Sequence, residues 1–263
     1  VNEYTVFTYP ERGFGMSFIT FSHNGKFIFT DNIDHIFPKR KAFLEDMKCE
    51  TIEDYYYLAE TYHFLREYNK SIALLTQSID KYEDPELYRL LGQSYHFNGD
   101  KKEALSNFKK SLLLSETSAV TNRYMADLLR SMKDYEGSIY FYKQSLELLD
   151  FGERGYINDS FFEYNYFGLT IAYSKINQYE KVIEVANEFL SLSGDWDTFK
   201  ESIIDVRAGK IRDRNAEGQI DTRSTIYEIL SITYIELNNL DKAEEYIDKA
   251  KWLVPDNIDI ARI

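Results

Sequence analysis

Residues 85–116 read PELYRLLGQSYHFNGDKKEALSNFKKSLLLSE, and this stretch decides how the rest of the chain is understood. Tyr88, Leu91, Gly92 and Tyr95 fall at i, i+3, i+4 and i+7, one face of an α-helix. Asn98 to Asp100 break the pattern, and Ala104, Phe108 and Ser111 then mark a second stripe. The spacing predicts two antiparallel helices packed through small-against-aromatic contacts. Neither helix can bury its face alone, so the segment needs neighbours of its own kind.

Those neighbours are present. Before it, Tyr55, Leu58, Ala59, Tyr62, Ser71, Leu75 and Ser78 hold the same places; after it, Asn122, Met125, Ala126, Leu129, Ser138, Tyr142 and Ser145 do. Ser71 to Ala104 is 33 positions and Ala104 to Ser138 is 34. Farther on, Tyr227, Leu230, Ser231, Tyr234, Ala243, Ile247, Ala250 and Pro255 give another full copy. A weaker one runs through Tyr166, Leu169, Thr170, Tyr173, Val182, Ala186 and Phe189, where Val182 stands in place of a small residue and should push its helices apart or shift them. This order of residue types resembles the tetratricopeptide repeat, whose signature is a large residue, Leu-Gly, Tyr, then Ala, an aromatic, a second small residue and a closing Pro. The resemblance implies an all-α fold, a right-handed αα superhelix of about five helical pairs.

The chain then divides into a β-rich cap (1–37), a connecting helix (38–51) and a repeat domain (52–263) with an inserted helix at about 195–221. In the cap, residues 16–22 and 26–30 flank His23-Asn24-Gly25, a hairpin turn signal, and residues 4–9 supply a third strand. The element serves as an N-terminal cap packed on the first helices, or as a separate binding module. Pro38 suits the first turn of a helix through Lys48 with Ala42, Phe43 and Met47 as its stripe. Gly152, Gly155 and Asn158 predict a loop before the fourth repeat. In the insert, Thr198 and Glu201 form a capping box ahead of Phe199, Ile203, Ile204, Val206 and Ile211, and Arg207, Lys210, Arg212 and Arg214 make its end basic, either a solvated helix end or a contact for an acidic partner. After Pro255 only residues 256–263 remain, with Ile258, Ile260 and Ile263 apolar and no polar-faced terminal helix, so the expectation is that the tail packs as a short stub, that the protein continues, or that this end meets another subunit.

Composition narrows the function classes. The 263 residues carry a formal charge of −13, against nucleic acid as a main partner, since that affinity rests on Lys and Arg neutralising phosphates. No apolar run approaches a membrane-spanning length, so no membrane insertion is expected. With 22 Tyr and 18 Phe, ring burial can fill a repeat core while hydroxyls reach its edge. The chain begins at Val1, so a leader has been removed or the sequence trimmed, and a cytoplasmic location is the default expectation.

Chemistry is scarce. Gly13-Phe14-Gly15 lacks the later glycine and Lys-Ser/Thr of a phosphate loop; there is no Gly-x-Ser-x-Gly elbow, no His-Glu-x-x-His and no cysteine cluster. Cys49, the single cysteine, reads as a partly buried, inert thiol. No catalytic residue, cofactor or metal is therefore expected.

By resemblance, the first helix of each repeat lines a groove that receives a partner segment. The positions so placed are Tyr56, Glu60, His63 and Phe64 in repeat one, Arg89, Gln93, His96 and Phe97 in repeat two, Arg123, Asp127 and Arg130 in repeat three, and Phe167, Ile171 and Lys175 in repeat four. The carboxylate clamp of chaperone-binding members uses Lys and Asn where this chain has Tyr56 and Glu60, so chaperone tails are not its expected ligand. Arg89, Arg123 and Arg130 fit a protein or peptide partner with acidic groups, or pair with acids of their own array. His63 and His96 hold equivalent places, and without a third ligand they read as groove lining, with pH-sensitive binding as a lesser role. Ile232 and Ile235 either receive the inserted helix or form a self-association patch. The expected function is a non-catalytic adaptor or scaffold; the alternatives are a structural subunit that self-associates or docks through its ends and insert, and an enzyme with a site between the N-terminal element and the repeats.

Overall fold

The computed structural model describes residues 5–8, 17–23, 26–30, 36–46, 48–149, 159–210 and 214–255. The chain forms two compact units, residues 1–116 and 117–263.

The first unit opens with an antiparallel three-stranded sheet, β1 (Thr5–Thr8), β2 (Ser17–His23) and β3 (Lys26–Thr30), in the order β1-β2-β3. His23 pairs with Lys26, and the Asn24-Gly25 turn lies outside the described residues. Helix α1 (Ile36–Glu45) runs against β2 and β3 on one side and α2 on the other. Its buried positions are Arg40 and Leu44; Ala42, expected in the apolar stripe, is exposed, and the helix ends before Lys48. The buried face is rotated around the helix toward Arg40 and Leu44, with Phe43 still packed beside Leu44, because Arg40 finds partners inside: its Nη2 donates to Tyr57 O (2.9 Å) and Glu60 Oε2 (2.8 Å), with the guanidinium over the Tyr57 ring. Met47 lies outside the described residues.

Two helix pairs follow, α2 (Ile52–Phe64) with α3 (Tyr68–Ile79), and α4 (Pro85–Asn98) with α5 (Lys101–Leu114). Thr51 and Asp54 close a reciprocal capping box at the start of α2. Asp84 caps α4, with Pro85 in its first turn, where the missing N–H would have had no partner. Tyr55, Ala59, Leu75, Leu87, Leu90 and Leu91 form the shared core. Gly92 lies so close to Phe108 that a Cβ built there would meet the ring at 2.7 Å, so the small residue sets the helix separation.

The second unit holds α6 (Ala119–Ser131), α7 (Tyr135–Leu148), α8 (Asp159–Lys175), α9 (Tyr179–Leu192), α10 (Trp196–Arg207), α11 (Arg214–Glu236) and α12 (Leu240–Leu253). Val182 is fully buried in a cluster with Ala126, Tyr142, Leu169 and Tyr173. The residues expected to form the loop before repeat four, Gly152, Gly155 and Asn158, lie outside the described residues.

One turn recurs. A residue one or two positions past the first helix of each pair is left-handed: Arg66 (φ 60°), Gly99 (97°), Lys133 (66°), Asn177 (57°) and Asn238 (55°). Each time the next N–H reaches back to the carbonyl of the repeat's Tyr or Leu, as in Glu67 N to Tyr62 O (2.8 Å) and Asp134 N to Leu129 O (2.9 Å). These are Schellman closures, which satisfy the last carbonyls of a helix and reverse the chain.

The insert differs from its expected form. Asp195, not Thr198, caps α10: the Asp195 carboxylate accepts from the Thr198 N–H, placing Thr198 in the first turn. Phe199 and Ile203 are buried against Phe189, Ile226 and Tyr227, whereas Ile204 is exposed; Ile211 and Arg212 lie outside the described residues. From Arg214 the insert runs unbroken into the first helix of the last repeat, giving α11 its 23 residues. Arg223, fully buried, holds the junction: its Nη2 donates to the carbonyls of Ser193 and Gly194 (the latter at 2.8 Å), and its guanidinium lies 4.0 Å from the Phe199 ring centre.

Candidate functional site

In the first unit, α2 and α4 lie side by side and present the expected groove residues together. Tyr56 and Arg89 meet directly, Arg89 Nη2 donating to Tyr56 Oη at 2.9 Å. Arg89 is not offered outward: buried, it also donates to Glu86 Oε2 from Nε (2.9 Å) and Nη2, and to Gln93 Oε1 (3.1 Å). Its expected partner carboxylate comes from its own helix, one turn back. Tyr56 donates weakly to Glu60 Oε1 (3.3 Å), and Glu60 is itself held by Arg40. Burial pushes the Tyr56 phenol up to about 12, so it stays a neutral hydrogen-bonding group.

His63 Nδ1 lies 3.2 Å from Ser94 Oγ, and Ser94 shares a hydrogen bond with Ser71. Burial, with Arg89 second, lowers the His63 pKa to about 4. The ring is therefore neutral across the physiological range, which removes it as a pH sensor there. It is packed edge-on by Phe97 (5.3 Å between ring centres), Tyr68 (5.4 Å) and Phe64 (6.1 Å). Phe97 stacks on Tyr68 and Phe64 on Phe37. Even so, Phe64 is 56% and Phe97 55% exposed. The result is a patch of rings, open to solvent, at the C-terminal ends of α2 and α4. His96 packs edge-on to Phe97 at the same end.

In the second unit, Asp127 is the centre of the predicted set. It takes Arg123 Nη1 at 2.8 Å and Arg130 Nη2 at 3.4 Å, and Tyr142 donates its hydroxyl to the same carboxylate. One carboxylate shared by two guanidiniums leaves net positive charge. Arg123 also lies over the Tyr124, Phe161 and Tyr164 rings. Phe167 is turned partly inward, 6.4 Å from the buried Phe189, and Ile171 is half-buried, so neither is a prominent anchor. Ile232 and Ile235 stay exposed, and the insert packs elsewhere. With Ile229 and Thr233 of the same helix, Ile232 lines a recess of about 200 Å³ shared with Ser174, Lys175 and Tyr179.

Sequence reasoning missed Glu53, Tyr57, Asp84 and Glu86. With Ile52 and Tyr56 they line a second recess of about 200 Å³ in the first unit. Asp84 and Glu86 read as the capping and first-turn acids they also are, and nothing in the residue pattern marks their outer oxygens as uncommitted.

Among the described residues no three His, Cys, Asp or Glu side chains gather as metal ligands, and no helix is long and apolar enough to cross a membrane. Cys49 is half-buried, and burial followed by Asp54 raises its thiol pKa, the setting of an unreactive thiol.

The family model of the tetratricopeptide repeat matches residues 85–118 and 224–251. No curated protein matches the sequence. Among solved structures, Cut9 in the APC/C hetero-tetramer Cut9–Hcn1 superposes with a TM-score of 0.65 at 14% identity over 87% of this chain, which spans only 39% of the Cut9 chain. YrrB, described as a tetratricopeptide-repeat protein with an unusual peptide-binding site, gives 0.57 at 15% identity over 86% of this chain and 96% of its own. MamA of Desulfovibrio magneticus RS-1 gives 0.55 at 16% over 78% and 95%. At these identities the likeness is one of fold.

Proposed function

We propose that this chain, which belongs to the tetratricopeptide-repeat superfamily, is a non-catalytic interaction scaffold that binds a segment of another protein across the α2–α4 face of its first unit. The observation that carries this reading is the ring patch. Phe64 and Phe97 could have been buried by an ordinary repeat contact; instead they stay exposed while held in place by His63, Tyr68 and Phe37. Rings that are already ordered lose little freedom on binding, and a few aromatic anchors carry most interface energy. In the second unit, the excess positive charge of Arg123 and Arg130 over Asp127 supports a contact with a partner's acidic groups.

The test is affinity capture from the source cells with the native chain and with Phe64→Ala/Phe97→Ala, the retained protein then being mapped by hydrogen exchange. Each ring is nearly half covered by its neighbours, so the variant should lose some stability, and binding is compared well below its melting temperature with its helix content checked by circular dichroism. A retained partner that protects α2 and α4 and binds the variant about 10- to 100-fold more weakly supports the reading, as loss of two central anchors should. Equal retention by both forms sinks it. A second reading, self-association, draws on exposed Ile232, Ile235, Leu237 and Leu240 in the second unit; sedimentation velocity across a concentration series separates it, since a scaffold acting alone keeps one sedimentation coefficient.

A further inference from the structure

We infer that the recess between the start of α2 and the start of α4 accepts a lysine or arginine side chain of the bound partner, so that the first unit selects a basic segment. The inference rests on the α2–α4 face being the docking face proposed above.

The recess has an apolar floor and an acidic rim. Ile52, Tyr56 and Tyr57 supply the floor, with the two rings edge-to-face at 5.6 Å. Glu53, Asp84 and Glu86 supply the rim. What matters is which carboxylate oxygens are already used. Asp84 caps α4 through Oδ1 alone, accepting from Glu86 N (2.8 Å) and Leu87 N (3.2 Å). Glu86 meets Arg89 through Oε2 alone. Glu53 has no hydrogen bond or ion pair among the described residues. Asp84 Oδ2, Glu86 Oε1 and both oxygens of Glu53 therefore have no protein donor among the described residues. The guanidiniums behind them, Arg89 and Arg40, are buried and committed to Glu86 and Glu60. Among the described residues no side chain of the unit delivers a cation to these oxygens.

An incoming basic side chain meets each requirement in turn. Its methylenes cover Ile52 and the tyrosine rings while the charged head stays at the rim. The head then gains charge-assisted hydrogen bonds and the face of a ring. An acidic side chain would meet only repulsion. The chain's charge of −13 adds a long-range attraction of the same sign.

The test uses the full chain and two fluorescein-labelled peptides of identical Leu and Phe content, one with Lys at every third position and its twin with Glu there, followed by fluorescence anisotropy at 50 and 300 mM NaCl. The Lys peptide should bind and the Glu peptide should not. Glu53→Gln should weaken the Lys peptide about threefold and Glu53→Lys about tenfold. Glu53 makes no hydrogen bond or ion pair among the described residues and contributes only its first-turn charge to α2, so Glu53→Gln should melt close to the native chain and Glu53→Lys should melt lower by no more than a few degrees. Binding of the Lys peptide that ignores Glu53→Lys would reveal diffuse attraction to an acidic protein and overturn the site, as would no binding or equal binding of the Glu twin. Phe64→Ala/Phe97→Ala serves as the separate check: if it leaves binding intact while Glu53→Lys weakens it by the expected factor, the recess stands and the ring patch falls.

Discussion

Small residues at the helix crossings act in two distinct ways. Ser71 donates from α3 to Ala59 O of α2 at 2.9 Å, and in the last repeat the direction reverses, Ser231 of α11 donating to Ala243 O of α12 at the same distance. These hydroxyls fill the crossing and are satisfied there. Ser138 fills the corresponding place in α7, buried, and its hydroxyl finds no partner among the described residues. A buried donor left unmade costs about 1–3 kcal/mol, and Ala is the better helix former. Ser138→Ala should therefore raise stability by about 1 kcal/mol, and Ser71→Ala should lower it by about the same amount, read from urea midpoints at unchanged slope. Sequence showed that these positions must be small, because spacing marks the crossing. It could not show which hydroxyl is paired, because pairing depends on a carbonyl 12 residues away turning toward it. The same limit applied to Arg89: its place on the α2–α4 face was legible, while its capture by Glu86, Gln93 and Tyr56 was not.

For elements, the turn between paired helices is the most regular feature. Gly99, Asn177 and Asn238 announce it in the sequence, as residues that tolerate a left-handed backbone. Arg66 and Lys133 do the same work with side chains that oppose it. Lys133→Gly should stabilise the chain by about 0.5–1 kcal/mol, since the glycine relieves the Cβ crowding and the closure depends only on backbone atoms. Thermal melts of Lys133→Gly beside Lys133→Ala check this, because only the glycine should gain. The insert was legible as a helix from Phe199 and Ile203. Its start was not, because Asp195 and Thr198 both suit a cap and only the backbone path chooses between them.

At the scale of the molecule, the repeat period gave the helix pairs, and the sign of the charge gave the kind of partner least expected. The same excess of acid bears on stability. Exposed ion pairs such as Lys181–Glu184 and Lys210–Asp205 are each worth little. A net −13 spread over one chain repels itself at low ionic strength. Raising NaCl from 20 to 500 mM should lift the calorimetric melting temperature by about 2–4 °C, the equivalent of roughly 1 kcal/mol for a chain of this size. A fall would mean that the ion pairs outweigh the repulsion.

Repeat proteins are commonly treated as modular, their units exchanged or excised at the turns. Arg223 withdraws the last part of this chain from that treatment. Its guanidinium spans the end of one repeat, the inserted helix and the helix that opens the next. Cutting out α10 would strip the cation of its aromatic cover and leave a buried charge uncompensated. The insert and the final pair are thus a single unit of inheritance, to be transplanted whole or left in place.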